Sequence, residues 1–260
     1  MQHALLDIDT RGVATLTLNR PDKHNAFDEH LIAELSGQLA DISRDDSIRL
    51  LLLRATGRSF CAGADVEWMR RMAAYDQATN LADAGALAEL LQRLDSLPQP
   101  TIACVQGAAL GGGAGLVCCC DMAVAAETAT FAFSEVRLGL IPATIGPYVV
   151  RAIGRRAARR YCLTGERFNA ADAHRLGLVS EVVEPSALEA TVQRLVQALL
   201  DSGPKAVRAA KQLIDEVAGR EIDAEQMAMT SRRIAGMRGS PEGQEGLSAF
   251  LNKRPPDWQK

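Results

Sequence analysis

No stretch of this sequence stays apolar long enough to cross a bilayer, which takes roughly 20 residues in a helix; its apolar runs are far shorter. The opening residues carry no basic, apolar or cleavage-site tract, so neither a signal nor a transit peptide is expected. Charge of one sign is not in excess either. Lys and Arg number 29 against 32 Asp and Glu, a net charge of −3, which gives no electrostatic reason to bind nucleic acid. These absences predict a soluble, cytoplasmic chain without membrane or nucleic-acid partners.

Metal-ligand and disulfide spacings are missing as well. Six cysteines are present, but Cys61, Cys104 and Cys162 have no C-x-x-C partner. Cys118, Cys119 and Cys120 are consecutive, so on a helix they point to different faces, which suits neither a metal site nor a set of disulfides. They read as small buried apolar residues of a reducing compartment. The four histidines, His3, His24, His30 and His174, are scattered, and no metal is expected. Nucleotide loops fail in the same way. Gly113-Ala114-Gly115 is followed by Leu116-Val117-Cys118, so the third glycine of a dinucleotide fingerprint is lacking, and no Gly-Lys-Ser/Thr ending exists. No separate cofactor is expected.

What remains is an ordinary globular composition, 47% hydrophobic and 23% charged over 260 residues, enough for one large domain or a domain with an appendage. Leu5–Asp9 and Val13–Asn19 read as strands joined by a turn at Thr10-Arg11-Gly12. Leu31, Leu35, Leu39 and Ile42 recur at helical spacing after Asp28, a capping residue type. Ile48–Leu53 and Thr101–Val105 are continuous apolar runs, as expected of strands buried on both faces of a parallel sheet. Val66–Leu97 reads as one helix, Met122–Ala125 and Thr130–Phe133 as short strands, and Ser134–Pro147 as a site-type loop. Leu178–Val183 reads as the last strand, and only helices follow from Leu188 to Leu251. The expected architecture is an α/β core over residues 1–185 with a helical region over 186–260.

Two glycine-alanine turns stand out: Cys61-Ala62-Gly63-Ala64-Asp65 and Gly111-Gly112-Gly113-Ala114-Gly115. Each follows a strand-like run and opens a helix. The first N–H groups of a helix have no intrahelical acceptor and carry partial positive charge. Small residues let a ligand oxygen approach that backbone. Two such ends meeting at one oxygen would form an oxyanion hole. Each taken singly is also consistent with a tight turn or a close helix–sheet contact.

In landmarks spread along its whole length the sequence resembles the crotonase superfamily, the enoyl-CoA hydratases and isomerases. The landmarks are Leu18-Asn19-Arg20-Pro21, Asn25-Ala26, Phe60–Asp65, Gly107–Gly115, Glu135 with Leu138-Gly139-Leu140-Ile141-Pro142, Leu163-Thr164-Gly165, Gly177-Leu178-Val179 and Phe250–Arg254. The resemblance implies a spiral of strand–strand–helix turns, followed by C-terminal helices that assemble homotrimers or hexamers. It implies an acyl-CoA thioester as substrate, with CoA arriving as part of it, and the Ala64 and Gly112 N–H groups as the oxyanion hole. By the same resemblance Ala26, Ala62, Gly63, Asp65, Val66, Gly111 and Pro142 belong to the substrate-binding segments. Lys23 and His24 fall in the loop that meets the adenine and 3′-phosphate of CoA, and Lys253 near the C-terminus reaches CoA, in its own or a neighbouring subunit. An exposed loop lysine is the plainer reading of Lys23 and of Lys253.

Many hydratases of this family carry two glutamates. The second maps onto Glu135; the first maps onto Gly115, and there the sequence departs from the pattern. Glu135 is therefore expected to carry proton transfer, its pKa raised by burial beside the acyl chain. Gly115 is expected to vacate room for a branched or longer acyl group. Pro142-Ala143-Thr144-Ile145-Gly146-Pro147-Tyr148 is similar to a bacterial subgroup that hydrates branched, carboxylated glutaconyl-CoA esters, with an unidentified arginine pairing with the distal carboxylate. The expected activity is hydration of a 2-enoyl-CoA, branched or carboxylated, such as 3-methylglutaconyl-CoA. The alternatives are a single-glutamate enoyl-CoA isomerase and a non-catalytic acyl-CoA-binding relative.

Overall fold

The computed structural model describes residues 2–259. Strands β1 (Ala4–Ile8) and β2 (Val13–Leu18) form an antiparallel hairpin. Its turn is held by the Asp9 carboxylate, which accepts from the N–H groups of Arg11 and Val13, both at 2.9 Å. Helix α1 (Glu29–Arg44) starts at Asp28, whose side chain accepts from the Leu31 N–H at 2.8 Å. That cap removes one unpaired donor of the first turn. Leu31, Leu35, Leu39 and Ile42 are buried along its inner face, as their spacing predicts. Strand β3 (Leu50–Ala55) follows.

The span expected as one helix from Val66 to Leu97 is two: α2 (Val66–Met72) and α3 (Gln77–Asp95). Asp76 divides them by capping a new start, accepting from the Thr79 N–H at 2.8 Å. Then come β4 (Thr101–Val105), β5 (Ala109–Leu110), α4 (Gly112–Cys119), β6 (Met122–Ala126) and β7 (Thr130–Ala132). The expected loop from 134 to 147 contains one 3₁₀ turn, Glu135–Leu138. Helix α5 (Gly146–Thr164) is interrupted at Gly154; β8 (Phe168–Asn169) and α6 (Ala170–Arg175) follow. The last strand, β9 (Glu181–Val183), is shorter than its apolar run, because Leu178 turns back to donate to the Ala173 carbonyl at 2.9 Å. The C-terminal helices are α7 (Leu188–Leu200), α8 (Pro204–Val217), α9 (Ala224–Gly239) and α10 (Pro241–Leu251).

Six strands form one sheet in the order β1-β2-β3-β4-β6-β9, parallel from β2 onward. Strands β5, β7 and β8 form a second, three-stranded sheet. Side chains alternate across a strand, and this splits the core in two. Leu51, Leu53, Ala103, Val105, Ala123 and Ala125 face the main core beneath α1 and α3. Leu50, Leu52, Ile102, Cys104, Val124 and Ala126 face the other way, against Leu188, Val192, Val196 and Leu200 of α7. Each fully buried leucine of this kind contributes about 1.5–3 kcal/mol, which explains why β3 and β4 carry no polar face. All six cysteines are free, and burial pushes the Cys61 thiol up to about 12. Asp121, at the end of α4, accepts from the Thr101 N–H at 2.7 Å and from Lys211 Nζ at 2.8 Å.

The six-stranded sheet sets the site. Strands β3 and β4 run side by side, and the two glycine-alanine turns leave past their C-terminal ends, where open α/β sheets bind ligands.

Candidate active site

Backbone pairing aims the first turn. Phe27 donates to the Gly63 carbonyl at 2.7 Å, and Asp65 donates to the Phe27 carbonyl at 2.7 Å. This parallel bridge leaves the intervening Ala64 N–H pointing the other way, with no acceptor among the described residues. Asp65 fixes the helix that follows, accepting from the Glu67 and Trp68 N–H groups at 2.8 and 3.3 Å. Burial opposes ionisation of Asp65, but those hydrogen bonds and the charges of Lys23 and Arg20 outweigh it and hold the carboxyl below its usual range. Asp65 is thus a cap and an anchor rather than a proton carrier. Arg20 Nη1 ties the preceding loop down, pairing with Asp28 at 2.7 Å and donating to the Ala26 carbonyl at 2.9 Å.

The second turn is fastened from both sides. Leu110 donates to the Cys61 carbonyl at 2.9 Å, and Gly111 donates to the Ala132 carbonyl at 2.8 Å. Gly111 has φ 51° and ψ −122°, a conformation essentially restricted to glycine. The Gly112 N–H, first in α4, has no acceptor among the described residues. The two turns touch. A Cβ on Gly63 would stand 3.2 Å from the Leu110 carbonyl oxygen, and one on Gly111 would stand 4.0 Å from Gly63 Cα. Two unpaired N–H donors, on Ala64 and Gly112, thus border a single cavity of about 270 Å³.

Glu135 enters the same cavity from the turn after β7. Its Oε1 lies 3.1 Å from the Cβ position of Gly111, and its Oε2 is buried with no hydrogen-bond partner among the described residues. Burial raises its pKa above the ordinary carboxylate value. The walls are mostly apolar and include Phe27, Met69, Met72, Leu87, Ile141 and Ile145. An oxygen that gains charge near the two N–H groups would be stabilised there, with a carboxylate placed to move a proton.

Of the residues expected from the sequence, Ala62, Gly63, Ala64, Gly111, Gly112, Glu135 and Pro142 line this cavity. Ala26 is buried in the loop beneath it. His24 lies at the edge of that loop, Nδ1 3.1 Å from Ser59 Oγ, and Lys23 beside it is exposed. Val66 points outward, 57% exposed, and is not part of the lining. Lys253 is exposed at the end of α10. The tail after it is pinned near the opposite end of the sheet, where Arg49, just before β3, donates to the Trp258 carbonyl at 3.4 Å. Within one chain, Lys253 is therefore not brought to the cavity.

Gly115 requires a correction. It does not open into the cavity, and the room expected there is filled: a Cβ at 115 would stand 2.4 Å from Ile145 Cγ2. Ile145 itself lines the cavity. Sequence reasoning also missed Phe27, which packs 3.0 Å from the Cβ position of Gly112, and the pair Trp68–Asp83. Trp68 and Met72, four residues apart on α2, offered a helical-face signal; Ile145 offered none.

Paired donors at two turns with a buried carboxylate beside them form an arrangement that can stabilise a developing oxyanion. The sequence profile described as enoyl-CoA hydratase/isomerase matches residues 9–260. The chain belongs to that family, within the crotonase superfamily. It is 36% identical over 265 residues to 1,2-epoxyphenylacetyl-CoA isomerase of Escherichia coli, with 99% of each chain covered. It is 34% identical to crotonyl-CoA hydratase of Syntrophomonas wolfei, covering 93% of this chain and 92% of that one. Its fold superposes on the crystal structure of an enoyl-CoA hydratase from Shewanella pealeana with a TM-score of 0.94, at 48% identity, covering 98% and 96% of the two chains. No helix among the described residues is long and apolar enough to cross a membrane.

Proposed function

We propose that this protein is a hydratase-type lyase that adds water to a 2-enoyl-CoA thioester. The observation that carries the reading is the placement of Glu135 Oε1 against Gly111, beside the unpaired N–H groups of Ala64 and Gly112. In this reading the thioester oxygen sits between those two donors. Glu135 takes a proton from water as its oxygen bonds to the β-carbon, and the electron pair of the double bond moves onto the thioester oxygen. The enolate then collapses and takes the proton back from Glu135 at the α-carbon, which restores the carboxylate. Losing one oxyanion donor typically costs roughly 3–4 kcal/mol of barrier. Ser134 and Thr144 supply hydroxyl groups in the lining that can hold the water.

The expected substrate, branched or carboxylated as in 3-methylglutaconyl-CoA, divides on the wall chemistry. Met69, Met72, Leu87 and Ile141 support an aliphatic chain, branched or straight. Among the described lining residues there is no Lys, Arg or His to support a distal carboxylate. Lys23 and His24 are proposed to meet the CoA moiety, as is Lys253 from a neighbouring subunit. The helical region, residues 186–260, is proposed to assemble a homotrimer or hexamer; its exposed Ile214, Ile234, Phe250 and Leu251 support that role.

A second reading, a double-bond isomerase, is favoured by one specific observation: the position of the family's other glutamate is a glycine sealed by Ile145. One carboxylate suffices to move a proton between two carbons. Product mass after incubation with crotonyl-CoA, 3-methylglutaconyl-CoA and a 3-enoyl-CoA separates the two. Gain of one water supports the hydratase, whereas a mass-neutral shift of the 3-enoyl ester with no hydration anywhere replaces it with the isomerase. Tight acyl-CoA binding without turnover of any ester would indicate a non-catalytic relative.

A further inference from the structure

We propose that Asp83 sets the acyl specificity of this cavity, admitting neutral acyl chains and turning away 2-enoyl-CoA esters that end in a carboxylate. The inference rests on the acyl-CoA reading above and deepens it. Asp83 and Glu135 are the carboxylates of the lining, and they reach it from different elements, α3 and the turn after β7. Asp83 is held in place. Its Oδ1 accepts from Trp68 Nε1 at 3.1 Å, and Trp68 is only 3% exposed. Swinging Asp83 away would leave a buried indole N–H without an acceptor, a cost that keeps the carboxylate facing the cavity.

Apart from the Trp68 N–H, the described lining residues offer Asp83 no offsetting charge, since none is a Lys, Arg or His. Arg71 on α2, whose charge acts on Asp83, is already committed, donating to both carboxylate oxygens of Glu29 at 2.7 and 2.6 Å, and the Glu29 charge acts on Asp83 in the opposite sense. A distal carboxylate on the acyl chain would lose its hydration, find no cation, and face a fixed like charge. An uncharged tail would instead meet Met69, Met72, Leu87 and Ile141. Selectivity of this kind comes from a repulsive element built against the wrong substrate.

The test compares trans-2-hexenoyl-CoA with the six-carbon 2-enoyl-CoA that carries a terminal carboxylate, using the intact wild-type protein and Asp83→Asn. Asparagine keeps the Oδ1 acceptor for Trp68 and removes the charge. The expected result is a rise of about tenfold in the ratio of kcat/KM for the carboxylated ester over the neutral one. An unchanged ratio overturns the proposal. Should neither ester be turned over, calorimetric binding of hexanoyl-CoA and adipoyl-CoA replaces rates. A preference for hexanoyl-CoA that narrows about tenfold in Asp83→Asn sustains the role of Asp83 while the hydratase reading falls. Equal binding of both esters by the wild type overturns the Asp83 proposal and leaves acyl-CoA binding standing, and binding of neither overturns both.

Discussion

The carboxylate of Glu135 lies directly against Gly111: a Cβ at residue 111 would stand 3.1 Å from Glu135 Oε1. The carboxylate proposed to carry the proton and the turn proposed to hold the oxyanion are thus fitted to each other, and glycine at 111 is what allows the carboxylate to come so near. Replacing Glu135 by Gln preserves shape and removes the base. Turnover should fall by about 10²–10⁴-fold, while the affinity for a saturated acyl-CoA stays within a few-fold. Steady-state kinetics and calorimetry check the two halves.

The raised pKa of Glu135 has a sign that can be followed. In the proposed reaction its ionised form takes the proton, so kcat/KM should decline toward acid with a midpoint above the ordinary glutamate value. For stability the direction is opposite. A carboxyl whose folded-state pKa is raised favours folding most below its unfolded pKa, and that contribution is lost as pH rises through the folded value. Glu135→Gln should therefore be more stable than wild type at pH 8 and nearly equal to it at pH 4. Thermal melts at both pH values check this.

Gly111→Ala should damage the site in two ways. Its φ of 51° with ψ −122° is strained for any L side chain, and the new methyl presses on Glu135. A stability loss of about 1–3 kcal/mol is expected, with a fall in kcat larger than any rise in KM. Urea unfolding and initial rates measure both.

Ile145 and Gly115 form a matched pair across α4 and the start of α5. Gly115→Ala should destabilise by about 1–3 kcal/mol through overpacking, because Ile145 Cγ2 stands 2.4 Å from the new methyl. Ile145→Ala, which removes Cγ2, should cost less in the Gly115→Ala background than in the wild type. A double-mutant cycle on unfolding free energies would reveal coupling; strict additivity would mean that the two side chains do not compete.

Local signals were readable. Asp28 capping α1, the four buried apolar residues of its inner face, and the leucine run of β3 all follow from spacing and residue type, because each depends on neighbours within one turn or one strand. The two glycine turns were readable as well, since strand, glycine and helix follow one another directly. The break at Asp76 was within reach, as Asp76 and Thr79 carry an N-cap signature, but a long helical periodicity on either side concealed it. Strands β5 and β8, two residues each, are too short to show any period. Ile145 was out of reach. It meets Gly115 across 30 positions of sequence, and the contact exists only once α4 and α5 pack. Trp68 and Asp83 meet for a similar reason, across the turn between α2 and α3. Side chains that fill or charge a cavity are set by tertiary packing, whereas the backbone that shapes its reactive end is written locally.

The central claim is that the Ala64 and Gly112 N–H groups stabilise a thioester enolate while Glu135 moves its proton. Deuterium uptake at the α-carbon of butyryl-CoA in D₂O, followed by mass spectrometry, tests it without requiring hydration or a double bond. The account predicts exchange by the wild-type protein and its loss, by about 10²-fold or more, in Glu135→Gln. Equal exchange by both proteins, or none by a wild-type protein that binds the ester, would contradict it.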